Sequence, residues 1–270
     1  MTDAWDPAHA ATFFDDYGER EWTRFEDGRT PAASVDAHVR MIEQFIRAGD
    51  TVLDAGAGPG RFTIELARIG ADVVALDISP GQLEQHRART AAAGADERVR
   101  ERVVGDITDL SGFDDGAFDA TVCLGGPLSY VVERADDALR ELARVTRPGG
   151  HLLVSVMSLG GVLTHYLPLL LDLARRDGVA RQEEIVATGV LPEAEGYGHL
   201  RMRLFRWGEL RQSLEQHGRI VAAAATGLLP DPVDAEPELR ELVRRIDLDL
   251  GGDPGVIGCG LHMLAAVEVS

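Results

Sequence analysis

The stretch Val52-Leu53-Asp54-Ala55-Gly56-Ala57-Gly58-Pro59-Gly60-Arg61 joins an apolar strand, an acid and a glycine-rich turn. Thr51 to Leu53 reads as a fully buried strand, and the glycines that follow tolerate positive φ and let a ligand approach the backbone. From Arg61 to Gly70 the apolar residues Phe62, Ile64, Leu66, Ala67 and Ile69 suit a buried helix. Strand, glycine turn and helix make the first half of a βαβ unit, so the ten residues read as a cofactor-binding corner.

Which cofactor it takes turns on Asp54 and on the glycine spacing. A dinucleotide fingerprint needs G-x-G-x-x-G with the pyrophosphate on the helix N-terminus. Here the glycines fall at Gly56, Gly58 and Gly60, and Arg61 stands where a third fingerprint glycine belongs. A carboxylate two residues before the first glycine repels a pyrophosphate and favours a cationic group. A phosphate-binding G-K-[ST] loop is also excluded, because the chain has no lysine. S-adenosylmethionine, with a sulfonium, an ammonium and no phosphate, suits the acidic corner.

Residues 52 to 60 resemble the first motif of class I S-adenosylmethionine-dependent methyltransferases, and four further segments resemble that family in the same order. Asp72 to Asp77 is a second strand ending in an acid about 20 residues beyond the glycine turn, as for an acid that binds ribose hydroxyls. Ser79-Pro80-Gly81-Gln82 supplies an N-cap, a proline at N1 and a glutamine at N3. The third strand, Val99 to Val104, runs into Gly105-Asp106-Ile107. A fourth strand and turn follow at Phe118 to Gly126, and Leu139 to Val145 leads through Arg147-Pro148-Gly149-Gly150 into a fifth strand.

The resemblance implies S-adenosyl-L-methionine as cofactor and S-adenosyl-L-homocysteine as product. It makes Asp54, Ala55, Gly56 and Gly58 cofactor-binding residues and places Asp77 on the ribose and Ile78 against the adenine. Asp106, with Asp109 as a competing candidate, accepts a hydrogen bond from the adenine amino group, Ile107 is a further cofactor-binding residue, and Leu124 and Gly125 offer carbonyls to the methionine end. A helix before the first strand closes over the cofactor in relatives, which makes Tyr17 and Arg20 or Arg24 candidates for its carboxylate. Packing of Phe13, Phe14 and Trp22 on the core explains that segment equally well.

The expected fold is α/β, a doubly wound, mostly parallel seven-stranded sheet with an antiparallel last strand and helices on both faces. Residues 1–48 read as an N-terminal helical lid. Residues 49–270 read as the methyltransferase domain, with a substrate-side insertion at about 159–205. Within it, Leu159 to Leu171 reads as a helix over the active site, and His165, Tyr166, Tyr197 and His199 are candidate pocket liners. Trp207 to His217 is expected as a helix, Arg219 to Thr226 as the sixth strand, Pro237 to Leu248 as a helix and Leu261 to Val269 as the last strand.

Composition narrows the partners. A net charge of −18 and a pI near 4.8 work against nucleic-acid binding, which draws its non-specific affinity from Lys and Arg on phosphates. No apolar run of 18 residues suggests a membrane span, and no leader is apparent. Two cysteines, Cys123 and Cys259, form neither a disulfide framework nor a zinc motif, so a cytoplasmic monomer or homodimer without metal is expected.

The fourth-strand turn reads Gly125-Gly126-Pro127-Leu128-Ser129-Tyr130 in place of the [DN]-P-P-[FYW] of nucleobase amino methyltransferases, which points to O, N or C methylation of a small-molecule acceptor. A hydroxyl acceptor is assisted by a nearby acid or base, for which His165 and Tyr130 are the candidates. Three alternatives stand beside this reading: a carboxylate methyltransferase acting on modified tRNA, a non-catalytic cofactor-binding protein, and a nicotinamide-dependent oxidoreductase.

Overall fold

A computed structural model describes residues 4–23, 31–193, 199–230, 232 and 234–270. Arg24 and Tyr197, named above as candidates, lie outside these residues. In chain order the elements begin with α1 (Pro7–Tyr17), α2 (Arg20–Thr23), α3 (Ala32–Phe45), β1 (Thr51–Ala55), α4 (Arg61–Ile69), β2 (Asp72–Asp77), α5 (Pro80–Ala92) and β3 (Val99–Val104). Then come β4 (Phe118–Cys123), α6 (Pro127–Tyr130), α7 (Ala135–Val145) and β5 (Thr146–Met157). The insertion supplies α8 (Leu159–His165), α9 (Leu167–Asp177), α10 (Val179–Thr188), β6 (Val190–Leu191) and β7 (Met202–Arg203). The chain finishes with α11 (Trp207–Leu214), β8 (Gly218–Thr226), α12 (Pro237–Leu250) and β9 (His262–Val269).

Seven strands form one sheet in the order β3-β2-β1-β4-β5-β9-β8. The pairs among β3, β2, β1, β4 and β5 are parallel, and β9 runs antiparallel to both β5 and β8. This is the doubly wound sheet with an antiparallel last strand that the segment order implies. Strand order reverses between β1 and β4, which opens a crevice at the carboxyl ends of these strands, the usual ligand site in such sheets.

Side-chain alternation along the strands feeds two cores. On one face Leu53, Leu152, Val154, Met263 and Ala265 pack with Leu139 and Leu142 of α7 and Leu210 and Leu214 of α11. On the other Val52, Leu153, Leu264 and Ala266 pack with Met41 and Ile42 of α3 and Phe62 and Leu66 of α4. Neighbouring strand residues thus enter opposite cores, the period-2 rule for a sheet covered on both faces. Because Ile42 is fully buried in the second core, α3 is a sheet-covering helix, whereas Trp5, Phe14 and Glu21 from the described residues before it line the crevice.

Two local expectations are corrected. The Arg147-Pro148-Gly149-Gly150 turn lies within β5 as a bulge, where the register with β4 shifts between Phe118 and Ala120. Gly149 has φ 74, and a Cβ at Gly150 would stand 2.4 Å from the Asp119 carbonyl oxygen. The expected helix from Leu159 to Leu171 is broken at Tyr166 into α8 and α9, with Pro168 in the first turn of the second. Proline lacks the N–H that would continue the first helix and suits the start of the next.

Candidate active site

The glycine turn between β1 and α4 is pinned from the neighbouring strand. The Gly56 and Ala57 amides donate to the Leu76 carbonyl at 2.7 and 3.0 Å. The Gly58 amide donates to Oδ2 of Asp77 at 2.7 Å, and the Ser79 amide to Oδ1 at 2.9 Å. Gly56, Gly58 and Gly60 have φ of 78, 51 and 92. A side chain at Gly56 would collide with Pro127, since its Cβ would lie 2.3 Å from Cγ of that ring. The turn is therefore a close-fitting cradle whose wall is backbone.

The cleft above it is lined by Gly56, Gly58, Asp77, Ile78, Asp106, Ile107, Leu124, Gly125 and Tyr130 of the residues read from the sequence. Asp54 and Ala55 do not line it. They end β1 beneath the glycine turn, 2% and 0% exposed, because a strand covered by helices on both faces has no open surface until the chain leaves it. Burial pushes the Asp54 carboxyl up to about 7 against a hydrogen bond from the Thr63 hydroxyl, and the charge of Asp77 adds to the rise. Burial likewise raises Asp77 to about 6, opposed by the Ser79 and Gly58 amides and reinforced by Glu21 and Asp15.

The N-terminal segment lines the cleft with different residues from those expected. Tyr17 stacks on Phe13 at 5.7 Å, and the Arg20 guanidinium lies 4.6 Å from the centre of the Tyr17 ring while donating to the Tyr17 and Asp16 carbonyls. Neither lines the cleft. The liners from this segment are Trp5, Phe14 and Glu21.

Trp5 donates its indole N–H to Oδ2 of Asp106 at 2.7 Å, and the Phe14 ring meets Tyr130 edge-on at 5.3 Å. Gln82 on α5 clasps α1 by donating to the Phe14 and Gly18 carbonyls at 2.9 and 3.1 Å. Arg61 also faces the cleft, and is the cation that lines it among the described residues. Its guanidinium lies over the Trp22 ring at 4.0 Å and donates to the Trp22 carbonyl.

His165 is absent from the cleft. Its Nδ1 lies 3.0 Å from the Gly161 carbonyl, inside its own helix. The insertion packs as a separate cluster around Leu159, Val162, Leu191 and Leu204, with Tyr130 and Met157 against it, so it borders the site through Tyr130. Tyr166 is 38% exposed, and His199 Nδ1 sits 2.9 Å from the Leu200 carbonyl; neither lines the cleft.

At the β4 end, two histidines far apart in sequence meet behind the glycines. His38 Nδ1 approaches the Ser34 carbonyl at 2.6 Å and Nε2 the Ser155 hydroxyl at 2.9 Å, and Ser155 accepts the Gly125 amide at 2.7 Å. The His262 ring lies 5.9 Å from that of His38. Sequence reading missed Trp5, His38, Ser155 and His262, because no local spacing connects them to the glycine turn.

The residues fit S-adenosylmethionine: a glycine cradle that a Cβ would fill, the acids Asp77 and Asp106 at the ends of neighbouring strands, and the apolar Ile78 and Ile107 lining the same cleft. A phosphate-free cationic ligand matches this donor and acceptor set. The chain belongs to the class I S-adenosylmethionine-dependent methyltransferases. A methyltransferase-domain family model matches residues 52–150. A demethylmenaquinone methyltransferase of Corynebacterium glutamicum (strain R) is 33% identical over 222 residues, covering 79% of this chain and 86% of that protein. One from Mycolicibacterium gilvum is 50% identical over 109 residues, covering 40% of this chain and 42% of that protein, less than half its length.

Among solved structures, magnesium protoporphyrin IX methyltransferase from Synechocystis, with S-adenosylhomocysteine bound, aligns with a TM-score of 0.59 at 21% identity over 81% of this chain and 92% of that one. A geranyl diphosphate C-methyltransferase from Streptomyces coelicolor aligns at 0.54 and 18% identity over 87% of this chain and 79% of that one. The fold is that of these enzymes. The protein is a methyltransferase that uses S-adenosylmethionine to methylate a small-molecule acceptor.

Proposed function

We propose that the acceptor is a small apolar aromatic compound of the reduced quinone class, methylated at a ring carbon or hydroxyl. The observation that carries this is the similarity to demethylmenaquinone methyltransferase over 86% of that protein, well beyond the cofactor half. The cleft wall at the β4 end supports it, since Leu124, Pro127, Tyr130 and Val131 with Phe14 offer an apolar, aromatic surface for a flat ring. A chain of net charge −18 argues against tRNA. Two free cysteines suit a reducing cytoplasm, and among the described residues no helix is long and apolar enough to cross a membrane.

Bound S-adenosylmethionine supplies an electrophilic methyl group on a cationic sulfur. The chain's part is to orient the ligands and exclude water, which accounts for much of the acceleration in such transfers. In this reading Asp77 accepts the ribose hydroxyls, Asp106 the adenine amino group, and Arg61 takes the carboxylate that Tyr17 and Arg20 are not placed to bind. Tyr130, on the wall beside the acceptor, is the group placed to exchange a proton with an acceptor hydroxyl.

Incubating the protein with labelled S-adenosylmethionine and a reduced demethylmenaquinone of short prenyl chain should transfer label to the ring. Tight binding of S-adenosylhomocysteine without any such transfer would reject the quinone acceptor. Tyr130→Phe should lower kcat about a hundredfold while the Kd for S-adenosylhomocysteine stays within about twofold, as for loss of a single proton-transfer group; titration calorimetry and turnover separate the two. Trp5→Ala should raise the dissociation rate of S-adenosylhomocysteine about fivefold in stopped flow, because closure over Asp106 acts mainly on the off-rate.

A further inference from the structure

A buried hydrogen-bond chain runs from the far side of the sheet to the acid beneath the glycine turn. Arg102 on β3 donates Nε–H to His86 Nδ1 at 3.0 Å, and His86 Nε2 lies 2.9 Å from the Thr63 hydroxyl. That hydroxyl donates to Asp54 Oδ2 at 2.5 Å. His86 and Thr63 are 0% exposed and Asp54 2%.

The direction of every bond is fixed. A guanidinium has no lone pair, so Nδ1 of His86 must accept; its only proton then sits on Nε2 and is donated to Thr63, whose own proton goes to Asp54. Burial holds the His86 imidazole neutral by lowering it to about 4, with the Arg102 charge adding to the effect. Arg102 is anchored in turn by Asp96 and by the Thr90 hydroxyl at 2.9 Å. The chain joins β3, α5, α4 and β1 across the glycine turn, and the His86 ring packs so closely on Gly60 that a Cβ there would lie 3.0 Å from Cδ2.

We propose that Arg102, His86 and Thr63 are positioning residues for the amino-acid end of the cofactor: their one-way chain of donors favours the ionised form of Asp54 and fixes it under the glycine turn, where its charge attracts the ammonium group. This rests on the assignment of the cleft to S-adenosylmethionine. Without the Thr63 hydroxyl, a buried carboxylate loses its strongest donor and takes up a proton more readily, and the ligand's ammonium loses its counter-charge. The adenine and ribose contacts are untouched.

Methylthioadenosine keeps the adenine, ribose and thioether of S-adenosylhomocysteine and lacks the amino-acid portion, so comparing the two ligands isolates the effect. For Thr63→Val, which keeps the shape and removes the hydroxyl, titration calorimetry should show S-adenosylhomocysteine about tenfold weaker and methylthioadenosine within about twofold of wild type. Thr63→Ser should restore S-adenosylhomocysteine binding, and His86→Leu should repeat the valine result.

Equal losses for both ligands, as a deformed glycine turn would give, would overturn the proposal, as would unchanged binding of both. If Thr63→Val does not fold, Arg102→Leu, at the outer end of the chain, carries the same comparison with about a threefold selective loss. Wild-type protein that binds neither ligand would remove the cofactor assignment and this inference together.

Discussion

Asp77→Ala is expected to weaken S-adenosylhomocysteine binding by about a hundredfold. In the reading proposed above the carboxylate accepts hydrogen bonds from two ribose hydroxyls, and charge-assisted hydrogen bonds contribute roughly 1.5–3 kcal/mol each. Asp77 also holds the Gly58 and Ser79 amides at 2.7 and 2.9 Å, so its removal releases both the glycine turn and the start of α5. Methylthioadenosine, which keeps the ribose, should weaken by a similar factor, in contrast to the selective loss for Thr63→Val. Calorimetry on both ligands reads this directly, and an unchanged Kd would mean that the ribose lies elsewhere.

Asp54→Asn should make the ligand-free protein more stable while it loses cofactor affinity. A carboxyl that burial raises to about 7 is held ionised at pH 8 against its environment. With an unfolded value near 4, that corresponds to a cost on the order of 4 kcal/mol. Asparagine keeps an oxygen to accept the Thr63 hydroxyl proton and removes the charge, so the melting temperature at pH 8 should rise by about 6 °C. S-adenosylhomocysteine should bind at least about tenfold more weakly, since the ammonium loses its counter-charge.

The wild-type pH dependence has the same origin and a definite sign. Both Asp54 and Asp77 are raised, to about 7 and about 6, so between these values and pH 4 the folded chain holds protons that the unfolded chain has released. Their contribution to the stability of the ligand-free protein is greatest at low pH and is lost as pH rises through about 6 to 7. Cofactor binding runs the other way, strengthening over the same window as both acids ionise. Thermal unfolding and calorimetry at pH 5.5 and pH 8 test the two slopes, and parallel slopes would contradict this account.

What was legible in the sequence was local. The glycine turn, the acids two residues before it and at the end of the next strand, and the Ser79 N-cap are short-range patterns set by backbone conformation and strand length. They place Gly56, Gly58, Asp77, Ile78, Asp106, Ile107, Leu124 and Gly125 on one cleft because parallel strands bring their carboxyl ends together.

Tertiary packing decided the rest. Which residues of the N-terminal segment face inward depended on how α1 docks on α5, and this turned Phe14 and Glu21 to the cleft and Tyr17 and Arg20 away. Pro168 divided the insertion, His165 is bonded within its own helix, and Tyr130 from the strand turn lines the cleft. The alignment of Arg102, His86 and Thr63 on Asp54 spans four elements, and hydrogen bonds between residues so far apart in sequence leave no periodicity to read. Local spacing determined the methyl donor; the docking of separate elements decided which side chains hold and charge it, because side-chain direction depends on packing that no single segment contains.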